Sequence, residues 1–253
     1  MIPVVVLQTI AANLGSMLTP IGNPQNLYLY GLAGKGIGEF IMWLLPYTVV
    51  SAVLLIISIL LLKNKNADVS MKDTNDNSGQ KAAPVNVLLY TILFVIALLV
   101  VARVLPWYVL TVLVLVTTFI IERNVLLKAD YALLLTFVGF FIFTGNMGRI
   151  GPVALFLSGI ADGREIGVGI ITSQCISNVP AALLLSGFTH NIKSLTLGVN
   201  IGGLGTLIAS MASLISYKQY VNEVPEGKGK YFVTFTVYNV IFLIVLYACT
   251  KLI

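Results

Sequence analysis

The chain has 253 residues, of which 58% are hydrophobic and 10% charged, with a mean hydropathy of +0.96. Soluble domains carry about 25% charged residues, so this composition excludes one and indicates an all-α polytopic membrane protein. The net charge of +5 sits in the loops, where it bears on orientation in the bilayer, and no basic stripe with interleaved aromatics suggests a nucleic-acid partner.

Uncharged runs place the membrane elements in chain order. Residues 2–34 form the first, interrupted by polar and helix-breaking residues between Asn13 and Asn26. They carry no positive n-region and so do not read as a signal peptide. Residues 40–62 form the next run, with Pro46 set to kink it. Residues 64–84 (NKNADVSMKDTNDNSGQKAAP) are the one long polar tract and read as a cytoplasmic linker. Residues 85–102 and 104–121 follow, with Pro106 and Trp107 marking an interfacial turn. Residues 131–148 read as one further span. Residues 164–190 centre on Ser177-Asn178-Val179-Pro180. They make either one span or, the favoured reading, a re-entrant hairpin with its tip there, Asn178 capping the second arm. Residues 194–217 and 231–250 complete a set of about seven spanning elements. Cys175 and Cys249 lie in apolar stretches and give neither a disulfide framework nor a zinc spacing.

Two of these stretches superimpose without a gap. Residues 13–30 read NLGSMLTPIGNPQNLYLY and residues 200–217 read NIGGLGTLIASMASLISY, with six of the eighteen positions identical. Polar, helix-breaking sequence at membrane depth is tolerated where it lines a cavity or packs on protein. Its recurrence in two halves points to a transporter binding site.

Three constellations carry the chemistry. In the first, Thr19-Pro20-Ile21-Gly22-Asn23-Pro24-Gln25-Asn26, two prolines and a glycine unwind a helix, which then restarts. Asn23 serves as the N-cap and Pro24 as the first helical residue. The restart presents a positive dipole end suited to an anion, and the unwound carbonyls with the Thr19 hydroxyl suit a hard cation. The second is the hairpin tip, where Ser177 and Asn178 offer oxygen ligands beside Pro180. The third is Asn200-Ile201-Gly202-Gly203-Leu204-Gly205-Thr206, whose glycines weaken the helix. The bland alternatives are a Pro-kinked helix, an interfacial turn and a small-residue packing face.

None of the ten acidic residues falls inside an expected span. This disfavours a carboxylate proton relay and leaves sodium coupling or facilitated diffusion. Arg149 and His190 read as interface and loop residues. With residue 1 on the cytoplasmic side and a hairpin that does not cross, nine of the fifteen Lys and Arg are cytoplasmic, in keeping with the positive-inside rule. The two broken helices then run in opposite directions, as inverted repeats do. No nucleophile–base set or metal cluster is present, so the chain does not read as an enzyme.

The segments at 13–29, 173–188 and 200–217 resemble the citrate transporter-like anion permeases of the ion transporter superfamily, relatives of divalent anion/sodium symporters and arsenite permeases. The resemblance implies an inverted-repeat transporter with broken helices and a re-entrant hairpin, in the cytoplasmic membrane. It implies a substrate site at Asn13, Thr19, Gly22, Asn23, Ser177, Asn178, Pro180, Asn200, Gly202, Gly205 and Thr206, and a sodium co-ion at Ser177, Asn178, Gly202 and Thr206. Val179 stands where the symporters have Thr, which removes one hydroxyl. The offset that carries Asn13 onto Asn200 puts the counterpart of Asn178 before residue 1, so the first repeat is expected to be incomplete. Residues 1–63 would be the remainder of that repeat and residues 85–253 the second repeat, with the hairpin at 164–190 and the broken helix at 194–217. The expected cargo is a small anion, a carboxylate such as citrate or a dicarboxylate, moved by alternating access. The expected partners are the lipid bilayer and a second copy of the chain or a complementary N-terminal half. An oxyanion permease, a sodium/proton antiporter and a non-transporting fragment of a larger permease remain alternatives.

Overall fold

A computed structural model describes residues 1–62, 84–121, 123–128 and 131–252, and every regular element among them is helical. Two compact units emerge, one comprising Met1–Leu61 with Ala132–Ile253 and the other Leu62–Tyr131. The linker expected over 64–84 lies outside the described residues, apart from Pro84, which opens a helix.

The larger unit begins with α1 (Ile2–Ser16), α2 (Pro24–Ala33) and α3 (Ile37–Leu60). α3 continues through Pro46. At 1.5 Å per residue its 24 residues are about 36 Å long, enough to cross a bilayer core of about 30 Å. It buries Phe40, Leu44, Tyr47 and Ser51 and exposes Val49, Val53, Ile56 and Leu60. A contiguous apolar face is untenable in water and suits contact with lipid.

The smaller unit is an apolar helical pair, α4 (Pro84–Val101) and α5 (Trp107–Ile121), followed by the short α6 (Arg123–Leu127). The expected turn at Pro106-Trp107 is where α5 starts. The Arg123 guanidinium stacks over the Phe119 ring.

The chain returns to the larger unit through α7 (Tyr131–Met147) and α8 (Gly151–Ala161). Residues 131–148 were expected to stand alone as a span. Instead Leu134–Met147 bends by 102° into Gly151–Ala161. The bend falls at Gly148-Arg149-Ile150, between a glycine and the Gly151-Pro152 that opens α8, where Pro lacks an N–H to continue the helix.

α9 (Glu165–Ile176) and α10 (Asn178–Leu185) pack on each other and meet at Ser177. At about 18 Å and 12 Å neither reaches across a bilayer core. The ends of the two arms meet, because the Thr189 hydroxyl donates to Glu165 Oε1 at 3.0 Å. Residues 164–190 therefore fold back instead of forming one straight span. Next come α11 (Ile192–Gly202), α12 (Met211–Glu223) and α13 (Lys228–Cys249). α11 is capped by Asn191, which accepts from the Ser194 N–H at 3.0 Å.

The core lies where the hairpin meets the first break. Leu29 of α2 packs against Ala181, Ala182 and Leu185 of α10 and Leu195 and Val199 of α11. A second buried row, Tyr231, Phe235, Asn239, Phe242 and Leu246, runs along α13, which packs on α1 and α3.

Candidate substrate site at the two helix breaks

The first break is made by its own sequence. α1 ends at Ser16, and α2 restarts at Pro24 with Asn23 extended (φ −151°, ψ 160°). Asn23 Oδ1 accepts from the Asn26 N–H at 2.9 Å, the cap expected from the Asn-Pro pair. A side chain at Gly22 would place a Cβ 1.8 Å from the Ser16 carbonyl oxygen, so the loop closes only on glycine. The Asn26 amide donates to the carbonyls of Met17 at 2.7 Å and Thr19 at 3.2 Å. The unwound carbonyls of this loop are thus held by a neighbouring carboxamide.

The second break follows the same plan. α11 ends at Gly202, and Ser210 (φ −146°, ψ 150°) caps α12 by accepting from the Ser213 N–H at 3.2 Å. The offset that superimposes Asn13 on Asn200 also superimposes Asn23 on Ser210 and Pro24 on Met211. Cap meets cap, and first helical residue meets first helical residue. Helical structure extends beyond the 194–217 read from sequence, from Ile192 to Glu223.

The two breaks hold each other reciprocally. Asn200 Oδ1 accepts from Asn23 Nδ2 at 3.1 Å and Gln25 Nε2 at 3.5 Å. Asn200 Nδ2 donates to Asn26 Oδ1 at 2.6 Å and to the Thr196 carbonyl at 2.8 Å. Asn13, its counterpart, donates through Nδ2 to Ser210 Oγ at 2.9 Å and Ser213 Oγ at 3.5 Å. Each asparagine contacts the cap and the third helical residue of the other half's restart. The two asparagines thus make equivalent contacts across the two breaks. Ser16 joins the network, accepting from Asn23 Nδ2 at 3.3 Å and donating to the Asn13 carbonyl at 2.9 Å.

At the hairpin tip Ser177 adopts φ +74°, ψ 155°. Non-glycine residues rarely sit there, at a cost of about 1–3 kcal/mol, and such strain clusters at functional sites. Ser177, not Asn178, holds the N-cap position, and its side chain makes no cap bond. Asn178 is the first residue of α10 and 6% exposed. Its side-chain amide lies against Gly203, at the entry to the second break. The Ser177 hydroxyl donates to Asn178 Oδ1 at 3.5 Å. Val179 is helical despite preceding Pro180. Pro180 falls in the first turn, where its missing N–H breaks no intrahelical bond.

Gln174, on the first hairpin arm, organises the second break. Its Nε2 donates to the carbonyls of Gly202 at 2.8 Å and Leu204 at 2.9 Å, with Ile170 O at 3.2 Å. Its Oε1 accepts from the Thr206 N–H at 2.8 Å, and its own carbonyl accepts from the Thr206 hydroxyl at 3.3 Å. Gly205, at φ +105°, lets the loop wrap closely around this side chain.

The structure thus joins Asn13, Asn23 and Asn200 in one network and sets Asn178 and Ser177 beside the second break. It ties Thr19 to the network through its carbonyl and places Gly202, Gly205 and Thr206 on Gln174. Pro180 is part of the tip helix and not of the network. Ser16, Gln174, Ser210 and Ser213 were not singled out from the sequence, and Gln25 and Asn26, which close the first motif, were given no site role of their own. Ser210 and Ser213 were within reach, since the superposition sets them opposite Asn23 and Asn26. Gln25 is 3% exposed, and its Oε1 has no hydrogen-bond partner among the described residues.

Glu165 closes the base of the hairpin, accepting from the Gly163 N–H at 3.3 Å as well as from Thr189. A cleft of about 570 Å³ opens there, lined by Lys35, Asp162, Glu165, His190 and Lys193 among others. Among the described residues no group of three His, Cys, Asp or Glu could hold a metal ion.

No solved structure matches the chain. It is 34% identical over 224 residues to a protein of Methanocaldococcus jannaschii named as an uncharacterized transporter, covering 88% of this chain and 60% of that one. It is 29% identical over 217 residues to the inner membrane protein YbiR of Escherichia coli, covering 85% of this chain and 57% of that one. The chain therefore spans about 60% of the length of these curated relatives. Residues 1–193 match the family described as citrate transporter. On that match, and on its apolar, all-helical fold with several spans, the chain belongs to the citrate transporter family, whose members are membrane transporters and not enzymes.

Proposed function

We propose that the chain carries the substrate-binding elements of a secondary transporter. It moves a small anion, a carboxylate such as citrate or a dicarboxylate, across the cytoplasmic membrane by alternating access. The observation that supports this most directly is the pairing of two capped helix restarts, at Asn23-Pro24 and Ser210-Met211, through Asn200 and Asn13. Two helix N-termini converging on one uncharged polar cluster favour an anion without a fixed cation. The buried Gln25 Oε1 adds an acceptor that lacks a donor among the described residues. A hydroxyl or a protonated carboxyl of the substrate supplies one, which favours a hydroxy acid or a partly protonated polycarboxylate. The reciprocal contacts support alternating access between inverted halves, because a two-fold exchange allows the halves to trade conformations.

Uptake of labelled citrate, succinate and arsenite into proteoliposomes holding the 253-residue chain tests the reading. Saturable uptake of a carboxylate is expected. Uptake of arsenite alone would assign the site to oxyanions, and no uptake by demonstrably folded protein would overturn the reading.

A further inference from the structure

The resemblance to sodium-coupled symporters puts an alkali cation at Ser177, Asn178, Gly202 and Thr206, and the residues present do not fit one. The carbonyls of Gly202 and Leu204 in the second break and of Ile170, one turn back on α9, converge on a single point, as cation ligands do, but Gln174 Nε2 occupies it at 2.8–3.2 Å. An amide nitrogen has two hydrogens, so three carbonyls around it leave no donor to spare and no room for an ion. The other end of the same side chain fixes the Thr206 N–H at 2.8 Å, and the loop is moulded on it. The first break repeats the device. Met17 superimposes on Leu204, and its carbonyl is likewise taken by a carboxamide, that of Asn26 at 2.7 Å.

We infer that Gln174 is a built-in replacement for an alkali co-ion: its tethered amide holds the second break in shape, and the break binds no sodium while that amide is present. The inference rests on the geometry of the break and stands whether or not the cargo is a carboxylate. Removing the amide while keeping the carbonyls is expected to convert the break into a sodium site.

Cys175, exposed and next to Gln174, reports on this locality. With Cys249→Ser it is the chain's only thiol. Its alkylation by N-ethylmaleimide is measured in sodium chloride against choline chloride. With Gln174 present the two rates are expected to be equal. With Gln174→Ala, sodium is expected to slow alkylation several-fold. Gln174→Glu, which adds a negative charge beside the carbonyls, is a second variant expected to respond to sodium in the same way. A sodium-specific change with Gln174 intact would overturn the inference and needs no variant to fold. So would the absence of a sodium response in either folded variant. Failure of anion uptake in proteoliposomes bears on the proposed cargo and leaves this result untouched.

Discussion

At the scale of single residues, the site is a set of carboxamides and hydroxyls whose hydrogen bonds are nearly complete. Asn200 alone engages Asn23, Gln25, Asn26 and the Thr196 carbonyl. The exception is Gln25 Oε1, buried and without a hydrogen-bond partner among the described residues. An unsatisfied buried acceptor costs about 1–3 kcal/mol, so a residue retained only for packing gains nothing from it. Gln25→Met removes the orphan atom at similar volume. The expected outcome is a melting temperature unchanged or raised, with substrate affinity lowered about tenfold, the value of one hydrogen bond near 1.4 kcal/mol. Thermal melts and uptake kinetics on the same preparation check both. A lowered melting temperature with unchanged uptake would make Gln25 a packing residue. Ser177, at φ +74°, gives a second prediction. Ser177→Gly relieves the backbone and is expected to stabilise the folded chain by about 1 kcal/mol, read by thermal melt. A fall in stability would mean that the hydroxyl contributes more than the strain costs.

At the scale of elements, short helices stand where a span would otherwise run, and each depends on a specific clasp. The arms of the hairpin are too short to cross a bilayer, and Glu165 ties their bases together through Thr189 and the Gly163 N–H. Glu165→Ala leaves these donors without an acceptor. It is expected to raise amide hydrogen exchange at residues 163–165 and 189–191 while sparing α13. Glu165→Gln keeps an acceptor oxygen and is expected to stay near the wild-type pattern. Equal exchange in the two variants would remove Glu165 from the clasp. The α7–α8 bend of 102° is a different kind of break. It comes from glycines and Pro152 in sequence and lies apart from the carboxamide network.

At the scale of the whole molecule, apolar helices that expose Val, Ile, Leu and Phe on their outer faces make sense only with lipid as the surrounding medium. Orientation then follows from the loop charges. The orientation expected from the positive-inside rule would put nine of the fifteen Lys and Arg on the cytoplasmic side, and in it a cysteine introduced between residues 64 and 84 is expected to react with a membrane-impermeant maleimide in inside-out vesicles and not in intact cells. Labelling in intact cells would reverse the orientation and place the linker outside.

The sequence by itself determined the membrane class, through composition. It determined the position of the first break, because Asn23-Pro24 is at once a stop and a start and because only Gly22 fits the turn. It also showed that the break recurs, since the superposition of residues 13–30 on 200–217 needs no coordinates. These features are local, set by backbone chemistry within a few residues. The tertiary structure alone decided how the two breaks meet. Asn13 seeking Ser210, and Asn200 seeking Asn23, are contacts between segments far apart in the chain that no periodicity encodes. The same holds for Gln174, an unremarkable polar residue on an apolar helix. Its role exists only because α11 packs on α9 and brings the Gly202 and Leu204 carbonyls to an amide that already faces the Ile170 carbonyl of its own helix. Unwound carbonyls in a sequence read equally well as cation ligands or as acceptors for a neighbouring amide, and only the packing of one helix on another decides which donor arrives.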